Sequence, residues 1–415
     1  MDNNRTHIAR DRETPRLVNE INKHNIKQRQ HGEITEYNVA SATALFGKNS
    51  VMSMVGGKID TGVTQASVEN FLSFTAPVIP HEWSTDRVLD FPYAKEDCYV
   101  NYVAWSKSGL MAAVIKNGLY FISNIDPKLP NRHNVEEIEG VVDDAHNFRF
   151  LEFHPRGLLL CSPDMKLMDL ETRKMTKLVY YTCNSHKNTG ITWDEKNPDT
   201  IYHSSGMELI HHDIRCKRSV TNVQDAEEQV VTLRYNSKKN IVAGGSKLGK
   251  LMVWDIRNLK STLHRNDPVE ANITVGIHTS MNKAMVWSRT NSNMLVTGSG
   301  IHDRRIRVWD FSGSEPRETK SIDTQQQLTG VVQLYNNPNL FAFSSRLSST
   351  AGLLIFDASR SKFYQLDSAK PAAEIHQSPD GNMLATVGEE QLMFVAKTKH
   401  CDTKKKERGI LHQIR

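Results

Sequence analysis

Two histidines, an aspartate and a cysteine lie close together in the segment "IHHDIRC", which runs from Ile210 to Cys216. Side chains of these types bind zinc in many proteins. The segment is apolar and short, as a β-strand is, and adjacent residues of a strand point to opposite faces of a sheet. His211 and His212 therefore cannot both bind one ion from a regular strand, and we predict no metal site here.

Catalytic motifs are also missing from the sequence. It contains no Walker loop, nucleophile elbow, His-Glu-x-x-His motif or paired catalytic carboxylates. We therefore predict a protein that is not an enzyme and that needs no cofactor. Its five cysteines are scattered, odd in number and without a Cys-x-x-Cys pair, which is typical of a reducing compartment rather than of a disulfide framework.

Charge and hydropathy narrow the class of protein further. The net charge is +5, and much of it comes from the segment "KTKHCDTKKKER", which is more typical of a solvated tail than of a nucleic-acid-binding surface. No run of apolar residues is long enough to cross a membrane, and the charged start "MDNNRTHIARDRETPR" is unlike a signal peptide. We expect a soluble intracellular protein of cytoplasm and nucleus that binds neither nucleic acid nor membrane.

Short apolar stretches that end in an aromatic residue and a turn recur from Asn101 onward. Their spacing is roughly 40 to 50 residues, which is the period of four-stranded propeller blades. Six repeats are marked by an aromatic residue, Trp105, Phe153, Trp193, Tyr235, Trp287 or Tyr335, and His376 stands at that place in the seventh. A second apolar strand in most repeats ends in Asp, and two of these endings are Trp-Asp dipeptides, Trp254-Asp255 and Trp309-Asp310. The sequence thus predicts an all-β fold, a seven-bladed WD-repeat β-propeller over residues 78–397.

The seventh repeat lacks the usual Asp ending, and an unpaired outer strand would expose backbone donors and acceptors. We predict that the segment "DRVLDF", Asp86 to Phe91, supplies or supports its outer strand. Residues 1–77 show no sustained periodicity and are expected to form a mostly disordered extension, while residues 398–415 are expected to form a flexible basic tail.

Four separated segments resemble the fizzy and fizzy-related co-activators of the anaphase-promoting complex, a ubiquitin ligase of mitosis and meiosis. They are "DRVLDFPYAKEDCYVNYVAWS", "LIHHDIR", "MLVTGSGIHDRRIRVWD" and the terminal "RGILHQIR". Several repeats depart from the family pattern, which suggests a specialised member such as the meiotic cortex type. The resemblance implies a monomeric adaptor that binds ligase subunits and substrates such as cyclins.

The resemblance also implies two degron sites on the propeller. In the family, acidic residues grip the arginine of the destruction box, Arg-x-x-Leu, and an apolar pocket takes its leucine. Asp90 and Glu390 match the acidic positions, with Glu389 beside them and Leu89 at the pocket. For the Lys-Glu-Asn degron, Asp97 matches one position, but Ser246 and Leu248 stand near positions where asparagines are expected. Leucine offers no hydrogen bond, so we expect weakened or absent recognition of that degron.

Two ligase-docking elements are implied at the ends of the chain. The segment "DRETPR" resembles the family's C-box in Asp11, Arg12, Pro15 and Arg16, although Glu13 and Thr14 replace its two apolar anchors. Thr14-Pro15 also has the sequence of a proline-directed phosphorylation site. At the other end, Ile414 and Arg415 resemble the family's terminal Ile-Arg, which we expect to dock as an apolar anchor followed by a guanidinium and a carboxylate.

Two other functions fit the same fold. The segments "HDIR" and "WDIR" end consecutive repeats, and Asp-x-Arg at that place is similar to substrate receptors of cullin ligases. A propeller scaffold without any ubiquitin chemistry is the second alternative, because WD repeats serve many assemblies.

Overall fold

The computed structural model describes residues 83–91, 100–123, 125, 134–139, 148–162, 164–179, 190–215, 220–225, 228–258, 273–348, 351–366, 371–388 and 391–397. These residues form 28 strands and one short 3-10 helix, Ile256–Asn258. The strands make seven antiparallel sheets of four strands each, so the predicted seven-bladed propeller is confirmed. No helix in the described part of the chain has the length and apolar character needed to span a bilayer.

The strands follow the chain from β1 (Trp83–Asp90) into the first blade. Blade 1 contains β2 (Val103–Trp105), β3 (Met111–Ile115), β4 (Gly118–Ser123) and β5 (Asn134–Ile138). Blade 2 contains β6 (Phe150–His154), β7 (Gly157–Ser162), β8 (Asp164–Met168) and β9 (Met175–Val179). Blade 3 contains β10 (Ile191–Asp194), β11 (Asn197–Ser205), β12 (Glu208–Asp213) and β13 (Val220–Asp225).

The later blades repeat this arrangement. Blade 4 contains β14 (Val230–Asn236), β15 (Ile241–Ser246), β16 (Lys250–Asp255) and β17 (Ile273–Ile277). Blade 5 contains β18 (Ala284–Trp287), β19 (Met294–Gly298), β20 (Arg305–Asp310) and β21 (Arg317–Asp323). Blade 6 contains β22 (Leu328–Gln333), β23 (Leu340–Ser348), β24 (Ala351–Asp357) and β25 (Lys362–Gln365). Blade 7 contains β26 (Ala372–Gln377), β27 (Met383–Gly388), β28 (Gln391–Lys397) and, as its outer strand, β1.

Position within a blade decides which residue types a strand carries. The second strands β3, with the sequence "MAAVI", and β27, with "MLATVG", are buried on both faces because a neighbouring blade packs on each side. They are therefore apolar runs without alternation. The outer strand β21, "RETKSID", is largely exposed, and its charges protect an unpaired edge from pairing with another chain.

The ring closes by pairing strands from the two ends of the propeller sequence. β1 runs antiparallel to β28, with Trp83 opposite Lys397, Leu89 opposite Leu392 and Asp90 opposite Gln391. This pairing confirms that the segment supplies the outer strand of the seventh blade, although the strand begins at Trp83, three residues before the predicted segment, and ends at Asp90, before Phe91. It satisfies the backbone groups of β28 that would otherwise form an open edge.

Blade 5 carries a buried polar network that ties its strands together. His278 donates from Nδ1 to the Asp303 carboxylate (2.6 Å), and its Nε2 bonds the Thr297 hydroxyl (2.9 Å). The indole N–H of Trp309 donates to the same hydroxyl (2.9 Å). Burial lowers the pKa of His278, so the imidazole is neutral and can accept the Thr297 proton at Nε2. In blade 4, a glycine, Gly244, occupies the strand position that Thr297 has in blade 5.

Candidate functional site

The junction of blades 7 and 1 holds the described residues of the predicted destruction-box site. β27 and β28 form a hairpin in which Gly388 is opposite Gln391. The same Gln391 is opposite Asp90, the last residue of β1. Strand register therefore brings Asp90 to the hairpin end, where Glu389 and Glu390 are the two connecting residues in sequence.

Apolar side chains also lie at the junction of blades 7 and 1. Leu89 is half-buried and packs against the cluster shared by blades 7, 1 and 2. Trp105 of blade 1 meets Phe394 of blade 7 edge to face, with ring centroids 6.0 Å apart. Val88, on the other face of β1, is 46% exposed. Phe394 is fully buried, so the side chains that the described part of the junction offers to a peptide are the exposed Asp90 and Val88 and the partly exposed Leu89 and Trp105.

Asp90 is exposed and makes no ion pair with any other described residue. The neighbouring charges of β1 behave differently, because Arg87 donates from Nε to Asp86 (2.8 Å) and both side chains are mostly buried. The Arg87 guanidinium also lies 5.9 Å from the centroid of the Phe394 ring. Asp90 is therefore the β1 carboxylate that an incoming cation can reach.

Most other residues predicted to bind lie outside the described residues. These are Glu389 and Glu390 of the acidic hairpin, Asp97 of the second degron site, Asp11, Arg12, Thr14, Pro15 and Arg16 of the C-box segment, and Ile414 and Arg415 of the tail. Their assignments stay predictions. The predicted extension 1–77 and tail 398–415 lie outside the described residues as well.

Ser246 is described, and its hydroxyl is engaged within blade 4. It is fully buried at the end of β15, accepts hydrogen bonds from the backbone N–H groups of Gly249 (2.9 Å) and Lys250 (2.7 Å), and bonds Glu228. Gly249 has φ +110, and a Cβ there would lie 2.1 Å from the His278 carbonyl oxygen. The hydroxyl of Ser246 therefore stabilises a glycine-dependent turn whose exposed side chains are Lys247 and Leu248.

The histidines of "IHHDIRC" point to opposite faces of blade 3, as predicted. His211 stacks on Tyr202, with ring centroids 5.0 Å apart and an interplanar angle of 15°. His212 is buried on the other face with His203. Among the described residues, no group of three or more His, Cys, Asp or Glu side chains is arranged to hold a metal ion.

Sequence reasoning missed Glu374, a buried carboxylate of β26 that bridges blade 7 to blade 1. Its oxygens accept hydrogen bonds from the backbone N–H groups of Tyr102 (2.6 Å) and Val103 (3.3 Å). His376 donates to it from Nε2 (3.2 Å). Its only sequence signal is one acidic residue within the apolar stretch "AAEIH". Glu374 is a second link across the junction that carries Asp90.

The relatives of this chain among known proteins include WD-repeat and cell-cycle proteins. The family model for the WD domain, G-beta repeat, matches residues 279–310, which include the Thr297–Trp309 pair of blade 5. The chain is 26% identical over 62% of its length to WD repeat-containing protein srw1 of Schizosaccharomyces pombe, of which it covers 42%. It is 24% identical over 77% of its length to the B-type cell cycle switch protein ccs52B of Medicago truncatula, covering 61% of that protein.

A third relative is the meiotic fizzy-related protein 1 of Schizosaccharomyces pombe, 21% identical over 74% of this chain and 69% of the relative. This chain thus spans between two fifths and about two thirds of the lengths of these relatives. Among solved structures, a chain in the crystal structure of the mitotic checkpoint complex matches with a TM-score of 0.62 and 20% identity. The match covers 76% of this chain and 92% of that one. This match supports the propeller fold.

Proposed function

We propose that this chain, a divergent relative of the fizzy, fizzy-related and Cdc20 proteins, is a substrate-binding co-activator of the anaphase-promoting complex. In this proposal it binds destruction-box segments of cell-cycle proteins, cyclins of meiosis among them, and presents them for ubiquitination. Relatives named as a subunit of that complex and as a cofactor of it support the proposal.

The pairing of β1 with β28 is the observation that carries the proposal. It places the exposed Asp90 opposite Gln391, the residue that directly follows Glu389 and Glu390 in the chain, and the half-buried Leu89 next to it on the opposite face of β1. A guanidinium presents a planar pair of N–H donors to carboxylates, and each charge-assisted hydrogen bond contributes about 1.5–3 kcal/mol. The arginine of the degron would bind the acidic end, and its leucine would pack on the apolar side chains of the junction.

Docking on the ligase would use the segments at the two ends of the chain. The C-box residues Asp11, Arg12, Pro15 and Arg16 lack the family's apolar anchors, so we expect their contribution to be weak. Simultaneous binding of C-box, terminal Ile-Arg and substrate raises the effective concentration of each contact. Modest individual affinities are then sufficient for a stable assembly.

A reconstituted ubiquitination assay tests the proposal. Adding this protein to the purified ligase should increase modification of an Arg-x-x-Leu substrate. The double variant Asp90→Lys with Glu390→Lys should lose destruction-box binding by about a hundredfold or more, since at least two charge-assisted hydrogen bonds become repulsions. The matched control, Glu171→Lys with Glu315→Lys, reverses two exposed charges in blades 2 and 5 and should bind as wild type does. Equal binding by both double variants would exclude the site, and no stimulation by the wild type would exclude the function.

Exposed Asp-x-Arg pairs in blades 3 and 4 support a second candidate, a substrate receptor of a cullin ligase. Arg215 donates to Asp213 (3.0 and 2.6 Å), and Arg257 donates to Asp255 (2.9 and 3.2 Å). The two arginine side chains are 60% and 66% exposed at equivalent turns of neighbouring blades. Deleting Ile414 and Arg415 separates the candidates: the deletion should impair a co-activator of the anaphase-promoting complex and leave a cullin receptor unchanged. The double variant Arg215→Glu with Arg257→Glu should impair a cullin receptor and leave a co-activator of the anaphase-promoting complex unchanged.

A further inference from the structure

Three consecutive blades present an apolar side chain at the tip of the same turn. Met207 lies in the turn between β11 and β12, Leu248 in the turn between β15 and β16, and Ile301 in the turn between β19 and β20. Their exposed fractions are 50%, 68% and 43%, and among the described residues only three other large apolar or aromatic side chains are exposed. Single exposed apolar residues are normal, whereas a group of them on one surface indicates an interaction site. We call these three turns, residues 206–207, 247–249 and 299–304, the apolar turns.

The apolar turns of blades 3 and 4 lie side by side on one face of the propeller. Each connects the second strand of its blade to the third, and equivalent turns of successive blades lie on the same face. The backbone N–H of Val230 donates to the Gly206 carbonyl (2.9 Å), and that of Lys247 donates to the Gln229 carbonyl (2.8 Å). Two hydrogen bonds and one peptide unit therefore separate the two turns, which places them within roughly 15 Å of each other.

The apolar turn of blade 5 is joined to that of blade 4 in the same manner. The backbone N–H of Asn282 donates to the Ser246 carbonyl (3.1 Å), and that of Gly300 donates to the Met281 carbonyl (2.8 Å). The same reasoning places these two turns within roughly 15 Å of each other. The three tips thus form a row across blades 3 to 5 that is at most about 30 Å long.

The apolar turns offer side chains to a partner, because backbone groups of the turns are already bonded. The N–H groups of Gly249 and Lys250 donate to the Ser246 hydroxyl. The N–H of Arg304 donates to the Gly300 carbonyl (2.9 Å). An extended peptide gains affinity from backbone hydrogen bonds at an open strand edge, and the closed ends of hairpins offer no such edge. A helix satisfies its own backbone and presents apolar side chains along one stripe, so it suits these turns better.

Charges beside the apolar turns determine which helix would fit. Lys247 is exposed in the turn of blade 4, and Arg304 is half-buried in the turn of blade 5. The carboxylate of the blade 5 turn, Asp303, is largely buried and bonds the His278 imidazole (2.6 Å). Glu208 is exposed directly after the turn of blade 3. A complementary partner therefore has carboxylates near blades 4 and 5.

We propose that the apolar turns bind an amphipathic helix of a partner protein. Its apolar stripe packs on Met207, Leu248 and Ile301, and its acidic side chains lie beside blades 4 and 5. A helix of about 20 residues is about 30 Å long, which is enough to cover the row of three tips. The surface belongs to blades 3 to 5 and not to the junction of blades 7 and 1, so the proposal does not depend on the destruction-box site.

Peptide display on the whole chain tests the surface. One library holds peptides of about 20 residues with Leu, Ile, Met or Phe at helical spacing and with Glu or Asp beside this stripe. A reference library holds the same residues in scrambled order. We expect enrichment from the first library only, with binding of the enriched peptides measured by fluorescence anisotropy.

Variants of the exposed tips locate the bound peptides. Leu248→Ser, and likewise Met207→Ser or Ile301→Ser, should weaken binding by roughly tenfold, because the apolar contact of one side chain is lost. Lys247→Glu should weaken it as well, because a complementary charge becomes a like charge. Val135→Ser is the matched control, since Val135 is 53% exposed on the outer strand of blade 1. Thermal midpoints equal to that of the wild type check that each variant is folded.

Asp90→Lys should bind the enriched peptides as the wild type does, which separates this surface from the junction of blades 7 and 1. Equal binding by Leu248→Ser and Val135→Ser, or no enrichment over the scrambled library, would overturn the proposal. Self-association of the chain, or binding to vesicles of anionic lipid, that Leu248→Ser abolishes while no helical peptide is enriched would also overturn it. Those results would assign the surface to a second copy or to a membrane.

Discussion

Replacement of Glu374 by alanine should open the junction between blades 7 and 1. The carboxylate is 3% exposed and accepts two backbone hydrogen bonds from blade 1, at 2.6 and 3.3 Å. Hydrogen bonds to a charged acceptor contribute about 1.5–3 kcal/mol each, so loss of both removes about 3–6 kcal/mol. Water that enters the vacated space recovers part of this free energy. We therefore expect the free energy of unfolding to fall by about 2–4 kcal/mol.

Urea unfolding followed by tryptophan fluorescence and circular dichroism measures this loss. Glu374→Gln keeps one acceptor oxygen and should lose about half as much. Glu136→Ala removes an exposed carboxylate that pairs with Arg173 on the surface, and should cost less than about 1 kcal/mol. A Glu374→Ala protein as stable as the Glu136→Ala control would show that the carboxylate does not hold the ring closed.

Two further predictions concern the buried His203 of blade 3 and the buried hydroxyl of Thr297 in blade 5. His203 is buried in blade 3, and burial, with a smaller effect of His212, lowers its pKa to about 3. Since the unfolded chain binds this proton below about pH 6.5 and the folded chain does not, the free energy of unfolding should fall by about 1.6 kcal/mol from this residue between pH 6.5 and pH 5. Unfolding curves at several pH values should show a shallower dependence for His203→Asn, and an unchanged slope would contradict the assignment. In blade 5, Thr297→Val leaves the Trp309 indole N–H and His278 Nε2 without their shared partner, and should cost about 2–4 kcal/mol. A thermal midpoint within one degree of wild type would refute the role of this hydroxyl.

The propeller was predictable because its evidence is repeated along the chain. Six blades contribute an apolar inner strand, an aromatic residue and a turn, so the seventh, which has His376 at that place, does not hide the period. The closing strand was predictable from a physical requirement, since the seventh repeat had no outer strand of its own and β1 precedes the first blade. Both inferences depend on local pattern and chain order, which the sequence contains directly.

Individual polar contacts were not predictable in the same way. Glu374 has the sequence context of a half-exposed strand residue, and its partners Tyr102 and Val103 lie about 270 residues earlier in the chain. Ser246 could be compared with a degron-binding position in sequence, but only the turn around Gly249 shows that its hydroxyl bonds Gly249, Lys250 and Glu228. Hydrogen bonds between distant segments depend on the folded geometry, and residue type alone does not specify them.

Ring closure and the proposed degron site use the same pair of strands. β1 carries Asp90 and Leu89, and β28 begins directly after the acidic hairpin residues Glu389 and Glu390. A peptide that bridges these elements binds the closed ring and not a ring whose β1 has separated from β28. Such binding must stabilise closure by RT ln(1 + [L]/Kd), which is about 2.7 kcal/mol at a peptide concentration of 100 Kd. A destruction-box peptide should therefore slow hydrogen exchange of the β1 and β28 amides while those of blades 3 and 4 keep their rates. Equal protection of all blades would place the peptide elsewhere on the propeller.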